Sequence, residues 1–323
     1  MALISNCTES SLNSAADSLR AGNLVAFPTE TVYGLGADAE NRDAVARVFQ
    51  VKNRPKDHPL IIHISSLAYL DKWAKQIPDY AIMLAKKFWP GPMTLILPRT
   101  SIAKNFITGG QDKVGIRVPA HPDALLLLEK FESKGGLGIA APSANRFGKV
   151  SPTTASAVSL ELIDYLNKSD QILDSGLCSI GIESTIIDCT EDVPTILRPG
   201  AVSAEMIEST IGVPKILNVY KNKVQETKAS GLLLSHYAPN AKIILDKSPT
   251  KGDGLIALAS IPTPDGVIRL ASPKNSEEYA RILYEAFRGG DNIGLENIHV
   301  FSPIGNGIEI AINDRLKKSS HNK

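Results

Sequence analysis

Leu24-Val25-Ala26-Phe27-Pro28-Thr29-Glu30-Thr31-Val32-Tyr33-Gly34-Leu35-Gly36-Ala37-Asp38-Ala39 sets a short apolar run, a proline and a polar, glycine-bearing loop in succession. The apolar run reads as a buried strand that stops at Pro28. On its N-terminal side, Leu12, Ala15, Ala16 and Leu19 share one helix face within 10–21, and Gly22 is a natural stop. On its C-terminal side, Ala44, Val45, Val48 and Phe49 repeat that spacing within 41–53. The same alternation continues outward. Strands are expected at 60–64, 93–97, 114–118, 137–141, 172–173, 185–189 and 195–197. Strands interleaved with helices define an α/β fold, and their crowding between 171 and 198 points to a mixed rather than a purely parallel sheet. Near Tyr220 the pattern changes to a polar stretch bearing Lys221, Lys223 and Lys228, and 202–240 reads as a connection. The alternation then restarts, with strands at 243–245, 255–258 and 267–270. One helix face carries Tyr279, Ile282, Leu283, Ala286 and Phe287, and a last helix carries Ile308, Ala311, Ile312 and Leu316.

The bulk numbers bound what such a chain can do. Its 323 residues suit one large domain or two smaller ones. No run of about 18 apolar residues is present, so a membrane span is not expected. The segment from Met1 to Asn6 has no basic region before a long apolar stretch, so a secretory signal is not expected either. Cys7, Cys178 and Cys189 form no metal-ligand spacing and read as thiols in a reducing compartment. A net charge of +1 gives no global pull toward nucleic acid, though a local basic pocket remains open.

Five stretches could carry chemistry. Residues 28–39 follow a strand, where α/β proteins place ligands, and offer two hydroxyls, a carboxylate and glycines that admit close approach; a turn with a helix cap is the plain alternative. No P-loop and no dinucleotide fingerprint occurs. Lys52-Asn53-Arg54-Pro55-Lys56-Asp57-His58 groups three cations and a histidine, suited to triphosphate oxygens or to a solvated loop. Arg117, flanked by apolar residues on a strand, needs an anion, from either a structural salt bridge or a substrate carboxylate. Ser143 and Asn145 supply neutral polar groups after another strand, with Ser151 readable as a helix cap. The last pieces are Gly181-Ile182-Glu183-Ser184-Thr185 and Leu197-Arg198-Pro199-Gly200. His63 stands out by sitting in an apolar strand that begins at the basic loop, whereas His121, His299 and His321 suggest no partner.

Taken together, FPTETVYGLGADA at 27–39, KNRPKDHPLIIHI at 52–64, FWPGPMTLIL at 88–97, VGIRVPAHP at 114–122, APSANRFGKVSPT at 141–153, GIESTIID at 181–188 and ILRPG at 196–200 resemble the YrdC-type domain of the threonylcarbamoyl-AMP synthase family. HYAP at 236–239 and AINDRL at 311–316 resemble the linker and C-terminal domain of that family's long form. The resemblance implies a twisted mixed-sheet YrdC-like catalytic domain at 1–203, a linker acting as a lid over the active site at 204–240, and a smaller Rossmann-like α/β domain at 241–323. It implies a nucleotidyltransferase of the cytoplasm that converts L-threonine, bicarbonate or CO2 and ATP to threonylcarbamoyl-AMP and pyrophosphate, for threonylcarbamoyladenosine in tRNA.

Carried over by position, Lys52, Arg54, Ser143 and Asn145 form the catalytic constellation. Arg54, His58, Lys113, Ser143, Ser151, Arg198 and Tyr237 match nucleotide contacts, and Thr31, His63, Arg117, Ala141 and Ser184 match threonine contacts. Arg117 would find its missing counter-ion in the substrate carboxylate. Mg2+ is expected with ATP, held by phosphates and water rather than by protein. The product would pass to a tRNA-modifying machinery, leaving room for a weak tRNA contact and none for a membrane. One departure concerns the lid, where 229–235 reads ASGLLLS in place of the family's Ser-Pro-Gly-Met. An RNA-binding module without synthase activity and a related carbamoyl-transferring enzyme are the competing readings; the first lacks an aromatic-basic RNA motif and the second its usual extra domains.

Overall fold

The computed structural model describes residues 2–212, 227, 229, 231 and 236–321, and the backbone of 217–218. The elements run β1 (Leu3–Asn6), α1 (Glu9–Arg20), β2 (Val25–Phe27), β3 (Gly34–Asp38), α2 (Arg42–Lys52), β4 (Ile61–His63), α3 (Leu70–Trp73), α4 (Asp79–Phe88), β5 (Met93–Pro98), α5 (Asn105–Thr108), β6 (Lys113–Arg117), α6 (Pro122–Ser133), β7 (Ile139–Ala140), α7 (Ala155–Leu162), β8 (Gln171–Asp174), β9 (Thr185–Asp188), β10 (Thr195–Arg198), α8 (Ala204–Ile211) and β11 (Leu217–Asn218). A second set follows: β12 (Lys242–Leu245), β13 (Gly254–Ile256), β14 (Ile268–Ala271), α9 (Ser276–Asn292), β15 (Asn297–Val300) and α10 (Ile308–Ser320).

The first set builds one mixed sheet in the order β1-β8-β2-β3-β7-β4-β6-β5-β9-β10-β11. It is antiparallel at β2–β3, β3–β7, β4–β7, β5–β6 and β9–β10 and parallel elsewhere. The second set is a four-stranded parallel sheet, β12-β15-β13-β14. This is the mixed α/β architecture expected, with a smaller parallel α/β unit after it. Apolar side chains cover both faces of the large sheet. One core gathers Val45, Val48, Trp73, Leu84 and Leu95, and another closes α1 and α6 over Phe27, Ile139 and Leu173. The core of the second unit, built on Tyr279, Leu283, Phe287, Ile312 and Leu316, also takes in Val32, Val150, Ile182 and Tyr237 from before it. Burial is therefore continuous from one unit into the other.

Three expectations need correction. Gly34-Leu35-Gly36-Ala37-Asp38 is a fully buried strand, not loop. A Cβ on Gly36 would lie 2.7 Å from Ile139 and 2.9 Å from Phe27, so the glycine that reads as loop is what lets β2, β3 and β7 pack closely. The stretch read as a connection carries α8, capped by Ser203, buried through Ile207 and ended by the left-handed Gly212. Ser151 caps no helix, because α7 starts at Ala155 with Thr154 as its cap. Two histidines without a foreseen partner have one: His121 Nδ1 accepts from the Asp123 backbone N–H at the start of α6, and His299 Nε2 lies 3.3 Å from Asp253.

Candidate active site

The site grows from hydrogen bonds between two loops. Residues 28–33 leave β2 and enter β3; residues 141–153 leave β7 and run beside them. Leu35 N donates to Pro142 O, Ala144 N to Tyr33 O and Tyr33 N to Pro152 O. The loops thereby frame a small, partly open cavity of about 50 Å3. His63 and Arg117 stand side by side on its floor, as register partners on the parallel strands β4 and β6.

Eleven predicted residues line this one cavity: Thr31, Lys52, Arg54, His63, Arg117, Ala141, Ser143, Asn145, Ser184, Arg198 and Tyr237. Three lie beside it. His58 meets the ring of cavity-lining Phe147 edge-on at 5.3 Å. Lys113 pairs with Asp188 at 3.0 Å and donates to Thr227, in a second hollow that shares Ile61 with the first. Ser151 donates to Glu183 at 2.6 Å. Phe147, Glu183, Gly231 and His236 also line the cavity without an assigned role: the apolar ring and the glycine give no chemical signal of their own, and the partners of Glu183 and His236 are distant in the chain. Of the lid stretch, Ser230 and 232–235 lie outside the described residues, as do Lys221, Lys223 and Lys228.

At one end of the cavity Arg117 donates through Nη2 to Glu30 Oε1 at 2.5 Å, through Nη1 to Thr31 Oγ1 at 2.9 Å and through Nε to Gly91 O at 3.2 Å. Its counter-ion is thus within the chain, which corrects the expectation that a substrate would have to supply it. Glu30 is fixed in turn, its Oε2 accepting from Ala120 N. His63 is buried, and burial together with the neighbouring Arg117 charge pushes it down to about 3, so the imidazole is neutral.

At the other end Lys52 is 1% exposed and its ammonium donates to Ser143 O at 2.5 Å and to Asn145 O. Burial first, and the charge of Arg54 second, hold it well below the ordinary lysine value. Arg54 donates to Pro59 O at 2.9 Å and stands over Phe147. Arg198 sets Nε and Nη2 on Ser184 O at 3.0 and 2.9 Å. The basic stretch is thus divided: Lys52 and Arg54 turn inward, while Asn53, Pro55, Lys56 and Asp57 face water.

Ten buried side-chain polar atoms among the described residues have no hydrogen-bond partner. Four of them, His63 Nδ1, Asn145 Oδ1, His236 Nδ1 and Tyr237 OH, belong to residues lining this cavity. Buried polar atoms are normally satisfied, so their concentration here marks a place made for a polar ligand.

Fold and site together define an α/β protein with a polar cavity lined by buried cations, and the chain belongs to the Sua5/YciO/YrdC family, whose match, described as telomere recombination, spans residues 17–200. The C-terminal domain of threonylcarbamoyl-AMP synthase matches residues 202–321. A threonylcarbamoyl-AMP synthase of Pyrococcus abyssi is 44% identical over 95% of this chain and 93% of its own length. One from Bacillus subtilis is 38% identical over 95% and 92%. The crystal structure of P. abyssi Sua5 complexed with L-threonine superposes with a TM-score of 0.87 at 42% identity, covering 99% of this chain and 97% of that one.

Proposed function

We propose that this chain is a threonylcarbamoyl-AMP synthase that joins L-threonine, CO2 or bicarbonate and ATP into threonylcarbamoyl-AMP, with release of pyrophosphate. Threonine's amine adds to CO2 and loses a proton to give a carbamate. A carbamate oxygen then attacks the α-phosphorus, and the bond to the bridging oxygen breaks as pyrophosphate leaves. Such a transfer needs positioning and charge stabilisation more than covalent help from protein. Arg117 and Thr31 suit the threonine carboxylate, with His63, Ala141 and Ser184 around the amino acid. Lys52, Arg54 and Arg198 suit the phosphates, with Ser143, Asn145 and Tyr237 completing that end. His58, Lys113 and Ser151, outside the main cavity, would meet nucleotide only by way of its neighbours Phe147, Ile61 and Glu183.

Mg2+ entering with ATP fits the donor set. Among the described residues no three His, Cys, Asp or Glu side chains converge, and Glu183, the one carboxylate of the lining, is already held by Arg315, Ser151 and Tyr284. Asn145 Oδ1 is the neutral oxygen free to meet the ion or its waters. The ion would neutralise phosphate charge.

Product use by a tRNA-modifying machinery and a cytoplasmic setting complete the proposal; no helix among the described residues is long and apolar enough to cross a membrane. The observation that carries the reading is the convergence, in one cavity, of the buried Lys52, Arg54 and Arg198 with Arg117, whose guanidinium keeps two N–H groups beyond its bonds to Glu30, Thr31 and Gly91. Mass spectrometry of the product from ATP, bicarbonate and threonine tests it. The threonylcarbamoyl adenylate with stoichiometric pyrophosphate is expected; ATP turnover without that adduct would overturn it.

A further inference from the structure

The second unit reaches into the cavity. Arg315 of α10 is completely buried, and its Nε donates to Glu183 Oε2 at 2.7 Å across 132 residues of chain. Tyr284 of α9 places its hydroxyl 3.1 Å from the same oxygen and stacks its ring on Tyr237 at 5.9 Å. The Arg315 guanidinium also stands 5.3 Å over the Tyr237 ring. Farther along α10, Lys318 donates to Gly231 O at 2.8 Å. Two helices of the second unit therefore hold one carboxylate and two residues of the cavity wall.

Glu183 is the anomaly that this arrangement resolves. It is a carboxylate in the wall of a cavity otherwise built for anions, close to Arg198 and Tyr237. Left alone there, a buried carboxylate would repel a triphosphate and would itself be costly to hold. We propose that Arg315 is a positioning residue for the nucleotide end of the active site: it neutralises and fixes Glu183 and backs Tyr237, so the cavity becomes competent for ATP only when the second unit is docked. The inference rests on the adenylating function proposed above.

The charged and titratable groups that act on Glu183 are Arg198, His236 and Tyr237 from the cavity wall, Tyr284 from α9 and Arg315 from α10, while Asp314 pairs with Arg315 and with Lys318. Burial acts to raise the Glu183 carboxyl, but Arg315, Arg198 and the Ser151 hydroxyl outweigh it and hold it down to about 2. Without Arg315 that balance shifts upward, and protonation of Glu183 would relieve the repulsion.

The test is calorimetric titration of the full chain with Mg-ATP and, separately, with threonine, for Arg315→Met, Arg315→Lys and Arg315→Met/Glu183→Gln. Arg315→Met is expected to weaken ATP roughly tenfold or more, as an unpaired buried charge does, with threonine affinity within about twofold. Arg315→Lys should restore much of the loss, and the double variant should bind ATP better than Arg315→Met alone. Equal weakening of both ligands, or a double variant no better than the single, would overturn the inference and leave Arg315 a domain glue. Should Arg315→Met fail to fold, Tyr284→Phe serves, with a smaller ATP-specific loss expected and a loss shared by threonine counting against it. Binding is read independently of turnover, so an absent threonylcarbamoyl product would sink the proposed function without touching this result.

Discussion

Arg117 and Glu30 form a 2.5 Å ion pair inside the cavity, both side chains almost shut off from solvent. Three of the five guanidinium N–H groups go to Glu30, Thr31 and Gly91, which leaves two for a ligand. A threonine carboxylate would share the cation with Glu30 rather than complete it. Arg117→Ala should therefore hurt twice, removing a donor fork and leaving Glu30 as a buried, uncompensated neighbour of the substrate carboxylate. Threonine affinity should fall at least about tenfold, and the broken pair should cost about 3–5 kcal/mol of stability. Glu30→Gln in that background should recover part of both. Calorimetry with threonine and denaturant melts read the two effects; threonine affinity unchanged in Arg117→Ala would remove Arg117 from substrate binding.

Lys52 has a structural task beside the role in turnover that the proposed function gives it. Its ammonium ties the end of α2 to the carbonyls of Ser143 and Asn145. Lys52→Ala leaves those carbonyls without their donor, at a cost of about 1–3 kcal/mol, besides losing phosphate charge stabilisation. Pyrophosphate release should drop by about 100-fold or more, with a lowered melting temperature. A variant that melts lower yet releases pyrophosphate at the wild-type rate would confine Lys52 to structure.

Much of this was legible in the sequence, and what was not has a physical reason. Strands such as β4 and β5 announce themselves because contiguous Leu, Ile and Val must be buried. β3 hides because close packing against Phe27 and Ile139 requires glycines, the same residues that mark loops. His63, Arg117, Lys52 and Arg54 could be picked out because they sit in or next to strands in short motifs. Arg315 could not, since an ion pair across 132 residues leaves no local pattern. The counter-ion of Arg117 was hidden for the same reason: Glu30 lies 87 residues away in the chain.

Acid should loosen this protein through its buried histidines. Burial, then Arg117, pushes His63 down to about 3. Burial also leads for His236, likewise about 3, where Glu183 opposes the shift and Lys52, Arg54 and Lys318 add to it. Unfolded histidines bind protons near 6.5, so between 6.5 and 3 the unfolded state holds more protons and stability falls as pH falls, by about 1.4 kcal/mol per pH unit for each fully shifted imidazole. Glu183, lowered to about 2, contributes stability that is complete above 4.5 and is lost as pH drops toward 2. Between pH 6 and 5 the histidines act alone of these three, with a smaller addition from the burial-lowered His121. Urea melts should show a steep decline there, and His63→Gln should flatten it by about one proton. An unchanged slope in that variant would mean that His63 is solvated in the native protein.

Gly231 meets Tyr237 and Arg198 in the cavity wall. Its φ of +80° belongs to the left-handed region, and a Cβ there would overlap the Tyr237 hydroxyl and lie 3.2 Å from Arg198 Nη1. Gly231→Ala must therefore strain the backbone and displace one of the two side chains that suit ATP. The expected outcome is an ATP KM raised about tenfold, threonine KM nearly unchanged, and stability lowered by about 1–2 kcal/mol. Because the Tyr237 hydroxyl accepts no hydrogen bond, removing it relieves the overlap without leaving another group orphaned. Gly231→Ala/Tyr237→Phe should then bind ATP no worse than Tyr237→Phe alone. If adding Gly231→Ala still weakens ATP in that background by the full factor, the damage travels through Arg198 or the backbone rather than through the Gly231–Tyr237 contact.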